Sequence, residues 1–262
     1  MKHKPILTIV KIGGAIIEDS NALKAFLEDF STIQGPKILV HGGGRDASKM
    51  EERLGIKTTM HQGRRITSAE SLEVISMVYA GKTNKTIVAL LQSMDCNAIG
   101  LSGADGNCIV SHKRTGTEID YGFVGDIDEV NADHIAALID HFCPVFCAIT
   151  HDAKGQLLNT NADTIASAIA TAMSKTYQVN LYYCFEKQGV LLDIDKPDSL
   201  VKSLNKHYYR ELLEQGVIAA GMIPKLQNCF DALDKGVHQV VIGPNTLFRE
   251  TSTNYTKITA AS

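Results

Sequence analysis

The sequence lacks most of what marks a protein for a special environment. No apolar run approaches the roughly 20 residues that a membrane-spanning helix needs. The start, Met1-Lys2-His3-Lys4-Pro5, leads straight into a strand-like segment with no leader pattern. There is no excess of positive charge: the net charge is −3 over 262 residues, which argues against generic nucleic-acid binding. The six cysteines (Cys96, Cys108, Cys143, Cys147, Cys184, Cys229) form no C-x-x-C pair and are not grouped with histidines. They read as buried or free thiols of a reducing cytoplasm rather than as zinc ligands or disulfides. Repeats, low-complexity tracts and flexible linkers are missing as well. What is left is ordinary globular composition, 44% hydrophobic and 21% charged. Its length suits one large α/β domain or two lobes sharing a sheet.

Two strand-and-glycine units stand out. Ile6-Leu7-Thr8-Ile9-Val10-Lys11-Ile12-Gly13-Gly14 is an apolar, β-branched run with one lysine near its end. Such runs, apolar without alternation, are usually buried on both faces of a parallel sheet. The lysine either reaches the sheet edge or points into a site at the strand's carboxyl end. One βα unit later, Lys37-Ile38-Leu39-Val40 leads into His41-Gly42-Gly43-Gly44-Arg45 and then a helix from Asp46 to about Leu54. A glycine turn at a helix start aims free backbone N–H groups and the positive end of the helix dipole at one spot, which suits an anion. The pattern is neither the Walker lysine motif nor G-x-G-x-x-G. Sequential strands are commonly spatial neighbours, so both glycine turns are expected at the same sheet edge.

Further along, Leu23, Phe26, Leu27 and Phe30 define a helix with Ser20 or Asn21 as its cap. Gln62-Gly63-Arg64-Arg65-Ile66 precedes Thr67-Ser68-Ala69-Glu70, which reads as a capping box for a long helix, with a second helical stretch after Gly81-Lys82. Arg65 is either a solvated loop residue or a two-pronged holder of a carboxylate. Asn97–Gly103 reads as a strand, and Cys108–Ser111 with Gly122–Val124 suggests a hairpin-rich insertion before a helix at Ala132–Ile139. The strand Pro144–Ile149 is followed by Asn159, Asn161 and Asp163 ahead of an Ala-rich helix, Thr164–Met173. Capping explains one of those three polar residues; the other two require another role. From about Thr176 a second αβ lobe begins: a strand at Val179–Cys184, a turn at Phe185-Glu186-Lys187-Gln188-Gly189, and a helix from about Ser199 to Gln215. Gly221-Met222-Ile223-Pro224-Lys225 then opens a helix with a lysine in its first turn, against the dipole. Strands at Gln239–Gly243 and Thr256–Ile258 close the chain.

The ordered set Lys11-Ile12-Gly13-Gly14, His41-Gly42-Gly43-Gly44, Gly63-Arg64-Arg65-Ile66-Thr67, Asn159-x-Asn161-Ala162-Asp163 and Gly221-Met222-Ile223-x-Lys225 resembles the amino acid kinase family, most closely its N-acetylglutamate kinases. The resemblance covers nearly the whole chain. It implies an α/β fold, an open αβα sandwich with a mostly parallel central sheet and two lobes. Residues 1–175 would bind the acyl amino acid and make a homodimer; residues 176–262 would bind ATP with Mg²⁺. The implied reaction is phosphorylation of the γ-carboxylate of an N-acylated glutamate, N-acetyl-L-glutamate, to an acyl phosphate, the second step of arginine biosynthesis. Lys11 and Lys225 would be the transition-state lysines, with Asp163 orienting them. Gly43, Gly44, Arg65, Asn159 and Asn161 would meet the acyl amino acid. Gly13, Gly14, Glu186, Lys187, Gly189 and Ala219 would meet the nucleotide. The resemblance implies no metal-ligating side chains, no nucleic acid and no membrane.

The chemistry of such a transfer agrees with these residues. A γ-carboxylate is already ionised near neutral pH, with a reference pKa of about 4.3, so its phosphorylation needs no general base, and no base–nucleophile pairing is evident. It does need alignment and cancellation of negative charge, for which lysines and glycine N–H groups are suited. Three departures from the family pattern stand out. Phe185-Glu186-Lys187 replaces a usual Ser-Asp-Val. Ala219-Ala220 replaces a polar residue and a Gly or Asp, so contacts there would come from backbone. The chain also starts only a few residues before its first strand, whereas arginine-inhibited members carry an extra N-terminal helix; a dimer without arginine feedback is therefore expected. Other readings are an N-succinylglutamate or carrier-bound aminoadipate kinase, or a nucleotide-binding module that has lost catalysis. Aspartokinase continues its first motif differently and adds regulatory domains, and a dinucleotide-binding oxidoreductase needs another glycine pattern.

Overall fold

The computed structural model describes residues 4–61, 64–116, 118–185, 187–193, 195–218, 222–249 and 253–260. The chain opens with β1 (Ile6–Ile12), α1 (Gly14–Glu18) and α2 (Ser20–Ser31), then β2 (Lys37–His41) and α3 (Gly44–Arg53). A small hairpin of β3 (Thr59–His61) and β4 (Arg64–Ile66) precedes α4 (Ala69–Ser76), a π-helical segment at Met77–Thr83 and α5 (Asn84–Gln92). Then come β5 (Ala98–Leu101), β6 (Ile109–Lys113), β7 (Gly125–Val130), α6 (Ala132–Ile139), β8 (Cys143–Cys147), β9 (Ile149–His151), β10 (Leu157–Asn159) and α7 (Ala162–Met173). The last part holds β11 (Gln178–Phe185), β12 (Ser203–Leu204), α8 (Lys206–Glu214), α9 (Ile223–Asp234), β13 (Gln239–Pro244) and β14 (Thr256–Ile258).

Eight strands form one sheet in the order β12-β14-β13-β11-β1-β2-β8-β5. Every pairing in it is parallel except β13 with β14. This is the expected mostly parallel α/β sandwich. Residues Ile9 to Ile12 of β1 are all buried because both faces are covered. Leu7 and Ile9 belong to a core with Ile165, Ile169, Leu226 and Phe230 of α7 and α9. Val10 and Ile12 belong to the opposite core with Phe26, Leu27 and Phe30 of α2 and Ile87 of α5. The alternation sends Lys11 to the face covered by α7 and α9.

β1 lies between β2 on one side and β11 on the other. All three run parallel, so their carboxyl ends open at one edge. Early strands lie to one side of β1 and late strands to the other, which makes the β1/β11 boundary a topological switch point, where parallel sheets bind ligands.

Several local expectations are corrected. Helix α2 is capped by Asp19, whose carboxylate accepts from the N–H groups of Asn21 and Ala22; Ser20 is its first residue. Helix α3 starts at Gly44 rather than Asp46. The cap of α4 is Ser68, accepting from Ser71 N–H, while Thr67 stays extended and bridges to Gly122. The expected helix from Ser199 begins only at Lys206, after Asn205 caps it by accepting from Tyr208 N–H, because Ser203–Leu204 is drawn into the sheet edge beside β14. The strand expected at Gly122–Val124 is instead β7, starting at Gly125. All six cysteines are buried and free, and among the described residues no helix is long and apolar enough to cross a membrane.

Candidate active site

The shared sheet edge gathers most of the singled-out residues. Lys11 pairs in register with Tyr183 of β11, and its Nζ lies 2.6 Å from Asp163 Oδ1 with both side chains 9% exposed. Asp163 sits in the first turn of α7, whose cap is Asn161: its Oδ1 accepts from Thr164 N–H at 3.0 Å. A carboxylate there is favoured by the helix dipole, so α7 delivers Asp163 to the lysine. Helix α7 starts at Ala162 rather than the expected Thr164: Asn161 caps it, Asp163 within its first turn forms the ion pair, and Asn159 donates to Thr67 Oγ1 at 3.0 Å.

Lys225, three residues into α9, arrives from the opposite half of the sheet. Its Nζ is 3.9 Å from the centroid of the Phe185 ring, and Lys11 Nζ is 5.3 Å from the same centroid. Burial pulls the Lys225 pKa below the usual lysine value; the Asp163 carboxylate opposes that shift and the Lys11 charge adds to it. The two lysines and Asp163 therefore form one electrostatic unit drawn from β1, α7 and α9.

The glycine turn after β2 lies alongside. A Cβ on Gly43 would meet the Tyr79 ring at 2.8 Å, so only glycine fits. Tyr79 is placed there by the π-helical segment, whose extra residue per turn re-aims side chains and often marks a functional site. A Cβ on Gly42 would touch Ala162, which ties this turn to the start of α7. Gly13 caps the short α1 and Gly14 begins it.

Behind the turn, His41 is fully buried. Its Nδ1 meets the Gly42 carbonyl at 2.7 Å, which only accepts, so Nδ1 carries the proton and Nε2 accepts from the Asn84 amide at 3.0 Å. The same amide donates to the Val145 carbonyl. Burial, with a smaller push from Lys85, lowers the His41 pKa to about 4. Between pH 6.5 and 4 the unfolded chain takes up a proton that the folded chain refuses, so stability falls as pH falls, by about 3 kcal/mol over the window. Urea midpoints measured from pH 7 to 4 should show this slope, and His41→Gln should flatten it.

Arg65 is not free in solvent. It is 8% exposed and ion-paired to Glu51, whose side chain is 0% exposed. Its Nη2 donates to the Gly44 carbonyl and to Ser48 Oγ, each at 2.7 Å, and Nη1 donates to Glu51 and, at 3.5 Å, to Thr58. Thr58 and Ser71 hydroxyls also donate to Glu51. Glu51 was not singled out in the sequence: it reads as one more charge of a polar helix. Lys187 is exposed. Gly189 is glycine for a structural reason, since a Cβ there would lie 2.4 Å from Thr256 Oγ1. Glu186, Ala219, Ala220, Gly63 and Gly221 lie outside the described residues.

Residues 7–244 match the model of the amino acid kinase family. The chain belongs to that family. Within the amino acid kinase family it is 53% identical over 243 residues to the acetylglutamate kinase of Phocaeicola vulgatus, covering 92% of this chain and 94% of that one. It is 37% identical over 241 residues to the acetylglutamate kinase of Methanopyrus kandleri, covering 90% and 94%. Giardia carbamate kinase shares the fold, with a TM-score of 0.69 at 11% identity and full coverage of both chains.

Proposed function

We propose that this amino acid kinase transfers the γ-phosphoryl group of ATP to the γ-carboxylate of N-acetyl-L-glutamate, as part of arginine biosynthesis. One observation carries the reading: two lysines from opposite halves of the sheet meet over one aromatic ring at the switch point, with a buried carboxylate paired to Lys11. Relatives with the name acetylglutamate kinase, at about half identity over nine-tenths of the chain, support the acceptor.

The acceptor carboxylate attacks as an anion, so no protein base is required. The difficulty is to bring two anions together, and the site answers it with positive charge and oriented N–H groups. Lys11 and Lys225 would grip the transferring phosphoryl oxygens, and Asp163 holds the Lys11 ammonium in direction and charge. The Gly13-Gly14 and Gly43-Gly44 turns would offer backbone N–H groups. The two ammonium groups fit a polyphosphate, and among the described residues no cluster of carboxylates, histidines and cysteines suits a metal; Mg²⁺ held by the nucleotide's own phosphates would supply further charge neutralisation.

Residues 1–175 would bind the acyl amino acid, through Asn159, Asn161 and the Arg65 face left by its Glu51 lock, and residues 176–262 would bind ATP. A cytoplasmic homodimer fits the family resemblance and the six free thiols; light scattering tests the dimer. The function itself is tested by ADP release with ATP, Mg²⁺ and each of N-acetylglutamate, N-succinylglutamate and aspartate. ADP release that depends on N-acetylglutamate is expected; release with another acceptor alone would contradict the acetyl assignment.

A further inference from the structure

At the end of β11 an aromatic ring stands where a polyphosphate is to be gripped. Phe185 follows Tyr183 by two residues, so both rings rise from the same sheet face. They stack with parallel planes and centroids 6.2 Å apart. Tyr183 is itself anchored: it is buried, and its hydroxyl donates to the Asp163 carbonyl at 3.1 Å. The stack thus fixes Phe185 relative to the start of α7. The ring also lies against the first glycine turn, 3.9 Å from where a Cβ on Gly13 would be.

Lys225 needs such a surface. It sits in the first turn of α9, where the helix dipole repels a cation. Lys11 repels it too, and Asp163, its attractive charge, is already committed to Lys11 at 2.6 Å. The face of an aromatic ring attracts an ammonium within about 6 Å of its centroid, and Lys225 Nζ is at 3.9 Å. Lys11 Nζ, at 5.3 Å, also falls inside that range.

We propose that Phe185 is a positioning residue of the phosphoryl-transfer site, its ring face holding the Lys225 ammonium beside Lys11 and Asp163 before nucleotide enters. This rests on the kinase reading given above. The ring acts through Lys225 and does no chemistry of its own.

Phe185→Leu keeps apolar bulk and removes the ring's charge distribution. It should lower kcat about three- to thirtyfold, with the acyl-substrate KM nearly unchanged. Phe185→Tyr and Phe185→Trp keep the ring and should retain kcat. In a Lys225→Ala background, Phe185→Leu should add almost nothing, because the ring works through the missing ammonium. A kcat in Phe185→Leu equal to that of the unsubstituted protein, a Tyr variant as slow as the Leu variant, or a full Leu effect without Lys225 would each overturn the proposal. Phe185→Met gives the same contrast if the leucine variant does not fold. A second readout needs no activity: reductive methylation of Lys225 without nucleotide, followed by mass spectrometry. Phe185→Leu should label several-fold faster than Phe185→Tyr. Equal labelling would overturn the proposal, whereas inactivity of the unsubstituted protein would count against the kinase reading alone.

Discussion

Lys225→Ala should lower kcat by about 10²–10³ while leaving the KM of the acyl amino acid within a few-fold, as expected for a group that acts mainly in the transition state. The lysine sits among Asp163, Lys11 and the Phe185 ring, so its charge is aimed and partly desolvated before any ligand arrives. Such preorganised charge stabilises a transition state more than a solvated one does, because nothing need reorient during transfer. Lys225→Arg should rescue little, since a planar guanidinium does not reproduce a compact point charge. Steady-state kinetics in both substrates provides the check. A kcat that survives Lys225→Ala would remove this lysine from the transfer step.

Arg65→Ala should destabilise the fold by about 3–5 kcal/mol as well as raise the acyl-substrate KM, because it leaves a buried carboxylate without its counter-charge. Glu51 is fully buried, and its remaining partners are the Thr58 and Ser71 hydroxyls. For a chain of this size the loss corresponds to a fall in melting temperature of roughly 10 °C or more. Glu51→Leu alone should cost a similar amount, since it strands the guanidinium. Set against the Arg65→Leu and Glu51→Leu single variants, the double variant Arg65→Leu/Glu51→Leu should recover much of the stability, because neither charge is then left alone in the interior. Additive losses in that cycle would show that the pair is not coupled. The lost Arg65 bonds to Gly44 and Ser48 would also loosen the glycine turn, which under the proposed function meets the substrate.

The strands of the central sheet were legible because they are buried on both faces, which leaves continuous apolar runs such as Ile38–Val40 and Val240–Ile242. The glycine turns were legible because their chemistry is local; that a polar residue caps α7 was legible too, but not that it is Asn161 with the helix starting at Ala162. The π-helical segment was not: one extra residue per turn leaves the helical periodicity around Gly81 almost intact. The start of α8 was misread because the recruitment of Ser203–Leu204 by β14 is a long-range event. Glu51 escaped notice because its partner Arg65 lies 14 residues away and is brought to it by tertiary packing. Phe185 stood out only as an unusual residue in its turn; that its ring lies under Lys225 follows from the meeting of β11 and α9.

Under the proposed function, the lysine pair moves a phosphoryl group onto an acylglutamate side chain. Trapping the product with hydroxylamine tests it most directly. Incubation with ATP, Mg²⁺ and N-acetylglutamate should yield the γ-hydroxamate of N-acetylglutamate, identified by mass spectrometry, and Lys11→Ala or Lys225→Ala should suppress it. Hydroxamate formed equally well by both lysine variants, or none formed from any acylglutamate, would contradict the account.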